Sequence, residues 1–123
     1  MTKILLDSDV VINILKKHSQ TIEKLAKFDE CDFYISPIVI AEIYAGIKPS
    51  EKEQVEKLFS YFKTVNIDNE VAIIAGKYAN KFKKAFNGIS LEDYMIAATA
   101  KYYNLPLWTY NKKHYPMKDI LFV

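Results

Sequence analysis

Three carboxylates in this chain stand in surroundings that charged groups normally avoid. Asp7 closes the apolar run Ile4-Leu5-Leu6, Glu42 lies inside the stretch Ile38 to Ile47, and Asp93 heads the segment Tyr94 to Ala100. Carboxylate oxygens are hard donors, and three of them brought together suit a divalent cation that keeps several of its waters. The unlikely surroundings of Asp7, Glu42 and Asp93 together suggest a divalent metal.

Each acid also has a plainer reading. On a helix, Glu42 would share its face with Ile38 and Val39 one turn before and with Ala45 and Gly46 one turn after. It is then either at a half-exposed rim or desolvated, and a desolvated carboxylate must be protonated, paired or bound to metal. Ser90-Leu91-Glu92-Asp93 has the form of a capping box, and an acid in a first helical turn is favoured by the helix dipole. Asp93 is read as cap, site or both, with the small Ala97 and Ala100 on its face. Asp9 is likewise a first-turn acid that either supports the site or only complements the dipole.

The elements that would position these residues alternate strand and helix. Strands are expected at Lys3 to Leu6, Asp32 to Ser36, Thr64 to Ile67, Leu105 to Thr109 and Ile120 to Val123. Between them fall helices at Ser8 to Lys17 with Ser8 as N-cap, Ser19 to Phe28, and Pro37 to Ile47. Further helices are expected at Ser50 to Phe62 with a Ser50/Glu53 capping box, from Asp68 to about Phe86, and at Ser90 to Tyr103. Asn87-Gly88 supplies a left-handed stop. The alternation predicts one domain over residues 1–123, a three-layer α/β/α sandwich around a parallel sheet of about five strands. In such folds sites gather at the C-terminal edge of the sheet, where Asp7 and the Thr109-Tyr110-Asn111 corner both belong.

Composition narrows the setting. The chain has 123 residues, 50% apolar and 26% charged, which excludes a disordered or fibrous protein. Cys31 is alone, as expected in a reducing compartment. No apolar run approaches the roughly 20 residues of a membrane span, and Lys3 and Asp7 leave no signal-peptide core, so a cytoplasmic protein is expected. All 17 cations are lysine, so phosphates would be met by point charges, without the fork geometry of guanidinium. Lys77, Lys81 and Lys84 share a helical face, read as a nucleic-acid track or simply a solvated surface, and Lys112, Lys113 and His114 form a second basic group.

Taken together, Leu5-Leu6-Asp7-Ser8-Asp9-Val10-Val11-Ile12, the segment Ser36 to Gly46, Glu92 to Ala100 and Leu105 to Asn111 resemble the PIN domain, and within it the VapC-type toxins. The likeness spans nearly the whole chain in order and spacing. It implies a metal-dependent endoribonuclease in which Asp7, Glu42 and Asp93 hold Mg2+ or Mn2+, with Ser8 the hydroxyl residue beside the first acid. The fourth position departs from the pattern. Many members carry an aspartate in a Thr-x-Asp/Asn-x-x-Asp/His-Phe corner, whereas Thr109-Tyr110-Asn111-Lys112-Lys113-His114-Tyr115 offers an amide and an imidazole. Asn111 is therefore assigned to orienting a metal-bound water, with Thr109 and His114 in support. The resemblance further implies an RNA substrate, transfer RNA being a frequent one, a homodimer, and an antitoxin whose C-terminal tail blocks the cleft. Tyr44, Tyr94 and Tyr110 are read either as stacking platforms for bases or as core. Two rivals remain: a catalytically weakened PIN module that only binds RNA or a protein, and a receiver-like Mg2+-binding signalling domain, for which Asp68 after the third strand is a poor phosphoacceptor.

Overall fold

The computed structural model describes residues 2–123. Four parallel strands, β1 (Thr2–Leu6), β2 (Cys31–Ile35), β3 (Lys63–Thr64) and β4 (Leu107–Trp108), lie in the order β3-β2-β1-β4. Six helices flank them: α1 (Ser8–Leu15), α2 (Ser19–Lys27), α3 (Pro37–Gly46), α4 (Lys52–Phe59), α5 (Asn69–Phe82) and α6 (Leu91–Tyr103). Single 3-10 turns occupy Pro49–Glu51 and Lys112–His114.

Ile4, Leu5 and Leu6 of the central strand are fully buried, as a parallel strand covered on both faces requires. β1 pairs with β2 in the register Ile4↔Phe33 and Leu5↔Tyr34, and with β4 through Leu5↔Leu107 and Leu6↔Trp108. The Asp7 amide extends that ladder to the Trp108 carbonyl at 3.0 Å. The chain moves outward from β1 through β2 to β3 and then returns to the other side of β1, so the strand order reverses between β1 and β4. With right-handed crossovers, such a reversal opens a crevice at the carboxyl ends of the two strands.

Local chemistry explains the boundaries. Ser36 caps α3 by accepting the Val39 amide at 3.3 Å, with Pro37 at the first helical position. Asp68 caps α5 by accepting from Val71 at 3.2 Å. Asn104, at φ 54°, closes α6 in the left-handed conformation.

Five sequence expectations need correction. The sheet has four strands, because the expected fifth, Ile120 to Val123, makes only one bridge, Phe122 to Leu107. β4 is two residues long and presents too little edge for a longer ladder. The expected strand Thr64 to Ile67 contracts to β3, after which only the Val65 amide still reaches the sheet, at the Ile35 carbonyl. The N-cap of α1 is Asp7, whose Oδ1 accepts the Ser8 amide at 2.7 Å, and Ser8 is the first helical residue. The expected Ser50/Glu53 box is absent, since Pro49 starts a turn one residue earlier and the Glu51 carboxylate accepts the Lys48 amide at 2.8 Å. Finally, α5 ends at Phe82 with Lys83 as its C-cap and loosens into turns, so Gly88, at φ 86°, lies in the following turn and is not the helix stop expected of Asn87-Gly88.

Candidate active site

Asp7 ends β1 and is 5% exposed. Both its oxygens are committed to hydrogen bonds: Oδ1 to the Ser8 amide, and Oδ2 to the Thr109 hydroxyl at 2.8 Å and the Tyr115 hydroxyl at 2.7 Å. The two hydroxyls come from beyond β4, so the strands on either side of the reversal point meet at this carboxylate.

Asp9, one position into α1, holds the same corner by its backbone. Its Oδ2 accepts the Tyr110 amide at 3.0 Å, while Oδ1 is buried with no hydrogen-bond partner among the described residues. Burial first, and then the Asp7 charge, push its pKa up to about 6, against the opposing pull of the Tyr110 and Val10 amides.

Asp93 serves as cap and neighbour at once. It forms a reciprocal capping box with Ser90, 3.2 Å in each direction, and its Oδ2 also meets His114 Nδ1 at 3.0 Å. An ionised carboxylate only accepts, so this contact assigns the proton to Nδ1, and the Asn111 side-chain amide packs 2.9 Å from the same ring nitrogen.

Glu42 reaches the group from the solvent side of α3. Burial raises its pKa first, followed by the charges of Asp7, Asp93 and Glu92, while the Ser8 hydroxyl lowers it. Three carboxylates therefore bear on the place Glu42 occupies, and Glu92, which was not among the candidate site residues, is one of them. Among the described residues no lysine pairs with Asp7, Asp9, Glu42 or Asp93. Among these same residues, no three Asp, Glu, His or Cys side chains are drawn into a closed metal cage.

The remaining sequence candidates divide. Lys112 lies over the Phe122 ring at 5.6 Å and close enough to Lys24 of α2 to help lower its pKa, after burial. Lys24 itself sits 5.0 Å over Trp108, so the corner's basic group includes a residue that no local spacing marks. Lys113 is exposed, as are Lys77 and Lys81 of α5, and no ion pair or hydrogen bond among the described residues joins the last two to the acids. The tyrosines separate too. Tyr94 is core, 2% exposed, whereas Tyr110 is exposed with its hydroxyl 2.8 Å from Thr21 Oγ1, and exposed Tyr44 packs edge-on against Phe59. Tyr115 was not singled out by the sequence. Its only signal is a phenol at the corner position where the resembling pattern has phenylalanine. Burial and the charge of Asp7 raise its pKa, so it remains a donor at any working pH.

Beside Glu42, a groove of about 420 Å3 runs between α1 and α3, lined by Ile12, Leu15, Ile43, Ile47 and Lys16 among others.

A parallel α/β sandwich with acids from three separate segments converging at its strand-order reversal defines a class of protein, one with an acidic crevice at the carboxyl edge of the sheet. Residues 4–119 match the PIN domain, and the chain belongs to that family. It is 38% identical over 115 residues to ribonuclease VapC1 of Methanocaldococcus jannaschii, covering 93% of this chain and 79% of that one. It is 33% identical over 119 residues to ribonuclease VapC10 of Mycobacterium tuberculosis, covering 96% and 90%. Its fold superposes with a TM-score of 0.77 on a chain of a toxin-antitoxin complex from Klebsiella pneumoniae, at 25% identity and covering 94% and 92%. Family membership removes the receiver-like reading.

Proposed function

We propose that the protein is a metal-dependent endoribonuclease that hydrolyses RNA phosphodiester bonds and acts as the toxin of a toxin-antitoxin pair. The observation that supports this reading is that the charges of Asp7 and Asp93, from two other segments, bear on Glu42 in a chain 38% identical to a named ribonuclease. The donor set fits Mg2+ or Mn2+: hard oxygens only, no lysine paired with them, and a buried Asp9 Oδ1 that lacks a partner among the described residues. Asp7, Glu42 and Asp93 would hold the ion, which when bound supplies charge to a phosphate and acidity to a water. Thr109 and Asp9 fix the corner behind it, and His114 with Asn111 orients Asp93. Lys112, Lys113 and Lys24 are placed to follow the RNA backbone from the corner side, with Lys77 and Lys81 as a separate contact from α5.

The groove between α1 and α3 opens beside Glu42, and an antitoxin tail seated there would cover the acids. A cellular setting in the cytoplasm, a homodimer and transfer RNA as target belong to the same reading. No helix among the described residues is long and apolar enough to cross a membrane.

The test is cleavage of RNA by the purified chain with and without Mg2+, beside Asp7→Asn and Glu42→Gln. Loss of about a hundredfold in each variant is expected, in line with removing one charged partner from a transition state. Equal rates in all three would show that the acids do no chemistry and would leave the RNA-binding module, which the missing fourth carboxylate favours.

A further inference from the structure

Asp7 makes more hydrogen bonds than a capping residue needs. A carboxylate oxygen has two lone pairs in its plane, and Oδ2 receives two hydroxyls, Thr109 at 2.8 Å and Tyr115 at 2.7 Å. Oδ1 receives one strong bond, from the Ser8 amide at 2.7 Å, while the Ser8 hydroxyl stands off at 3.5 Å. One lone pair of Asp7 is thus left open, and it belongs to Oδ1. The Tyr115 ring is held from behind, edge-on to Phe122 at 6.4 Å, and the residue is 3% exposed, so its hydroxyl has a fixed aim.

We propose that Tyr115 is a positioning residue of the active site: its hydroxyl saturates Oδ2 of Asp7, fixes the rotation of that carboxylate and leaves Oδ1 as the oxygen offered to a cation. This rests on the metal-dependent reading above and adds to it a residue that never touches the substrate. Phenylalanine at this position would leave Thr109 as the single donor on Oδ2. The carboxylate could then rotate and divide its free lone pairs between both oxygens. Partners behind a metal ligand characteristically change affinity through this kind of orientation.

The experiment is calorimetric titration of the full chain with Mn2+, together with steady-state RNA cleavage, for wild type, Tyr115→Phe and Tyr103→Phe. Tyr103 is the control, because its hydroxyl makes an equally short bond, 2.7 Å to the Asn66 carbonyl, outside the acid cluster. Tyr115→Phe is expected to weaken Mn2+ binding about tenfold and to lower kcat with KM for RNA unmoved, while Tyr103→Phe changes neither. Equal Mn2+ affinity in Tyr115→Phe and wild type overturns this inference alone, as does an equal loss in Tyr103→Phe, which would mark a general softening. Wild-type chain that takes up no Mn2+ overturns the metal-dependent reading as well. Should Tyr115→Phe fail to fold, Thr109→Val removes the other hydroxyl from the same oxygen. Unchanged Mn2+ affinity in that variant overturns the inference, and a loss supports it.

Discussion

Asp9 gives the residue scale its clearest titration. Its pKa rises from the ordinary 3.8 to about 6, so between these values the folded chain keeps a proton that the unfolded chain has released. The folded state binds more protons there, and stability falls as pH rises through that window. Denaturant midpoints for wild type and Asp9→Asn, taken from about pH 4 to about pH 7, should show the wild type losing ground to the variant as pH increases. A difference that stays flat with pH would mean that Asp9 titrates as if exposed. At this scale the sequence was informative wherever a residue looked out of place: Asp7, Glu42 and Asp93 are carboxylates among apolar neighbours. It was silent on Tyr115, because the partner that gives its hydroxyl a task lies 108 positions away. Glu92 was not singled out for a related reason. A first-turn acid already has an adequate local explanation, and only tertiary structure shows that its charge reaches Glu42.

Elements were legible where punctuation is chemical. Pro37 after Ser36 and Asp68 ahead of a periodic stretch both mark real boundaries because each satisfies or frees a particular backbone group, whereas Asn87-Gly88 lies five residues past the true end of α5. Strands were overextended, since a short apolar run reads the same whether or not a neighbour pairs with it, and Ile120 to Val123 finds only one partner residue. The capping of α3 matters most for function, as Glu42 rides on that helix six positions after Ser36. Ser36→Ala removes a buried acceptor and should cost about 1 kcal/mol in urea unfolding. Cleavage should fall further than that loss of folded protein explains, because the first turn that aims α3 is released. If the variant is destabilised but cleaves at the wild-type rate, α3 is anchored by packing of Val39 and Ile43 alone.

For the whole molecule, the sandwich architecture followed from the alternation of elements, but the strand order did not, and that order makes the site. Only the reversal between β1 and β4 brings Asp7 beside Thr109 and Tyr115. The basic surface is also a property of the whole, since Lys24 and Lys112 come from distant segments. If this corner follows single-stranded RNA, each lost phosphate contact lowers the salt dependence of log K by about 0.7, so Lys112→Ala with Lys113→Ala should reduce the slope by about 1.4. Fluorescence anisotropy across a salt series without divalent metal measures this, and an unchanged slope would place the RNA track elsewhere, with Lys77 and Lys81 the next candidates.

The bond from Tyr115 to Asp7 also carries a message about timing. A chain still being translated has its first acid exposed to the cell long before residue 115 has emerged, yet the crevice closes only when the last turn of the corner folds back onto β1. The Asp7 carboxylate therefore takes its final orientation only once residue 115 is in place, which makes this corner a late step in assembling the crevice.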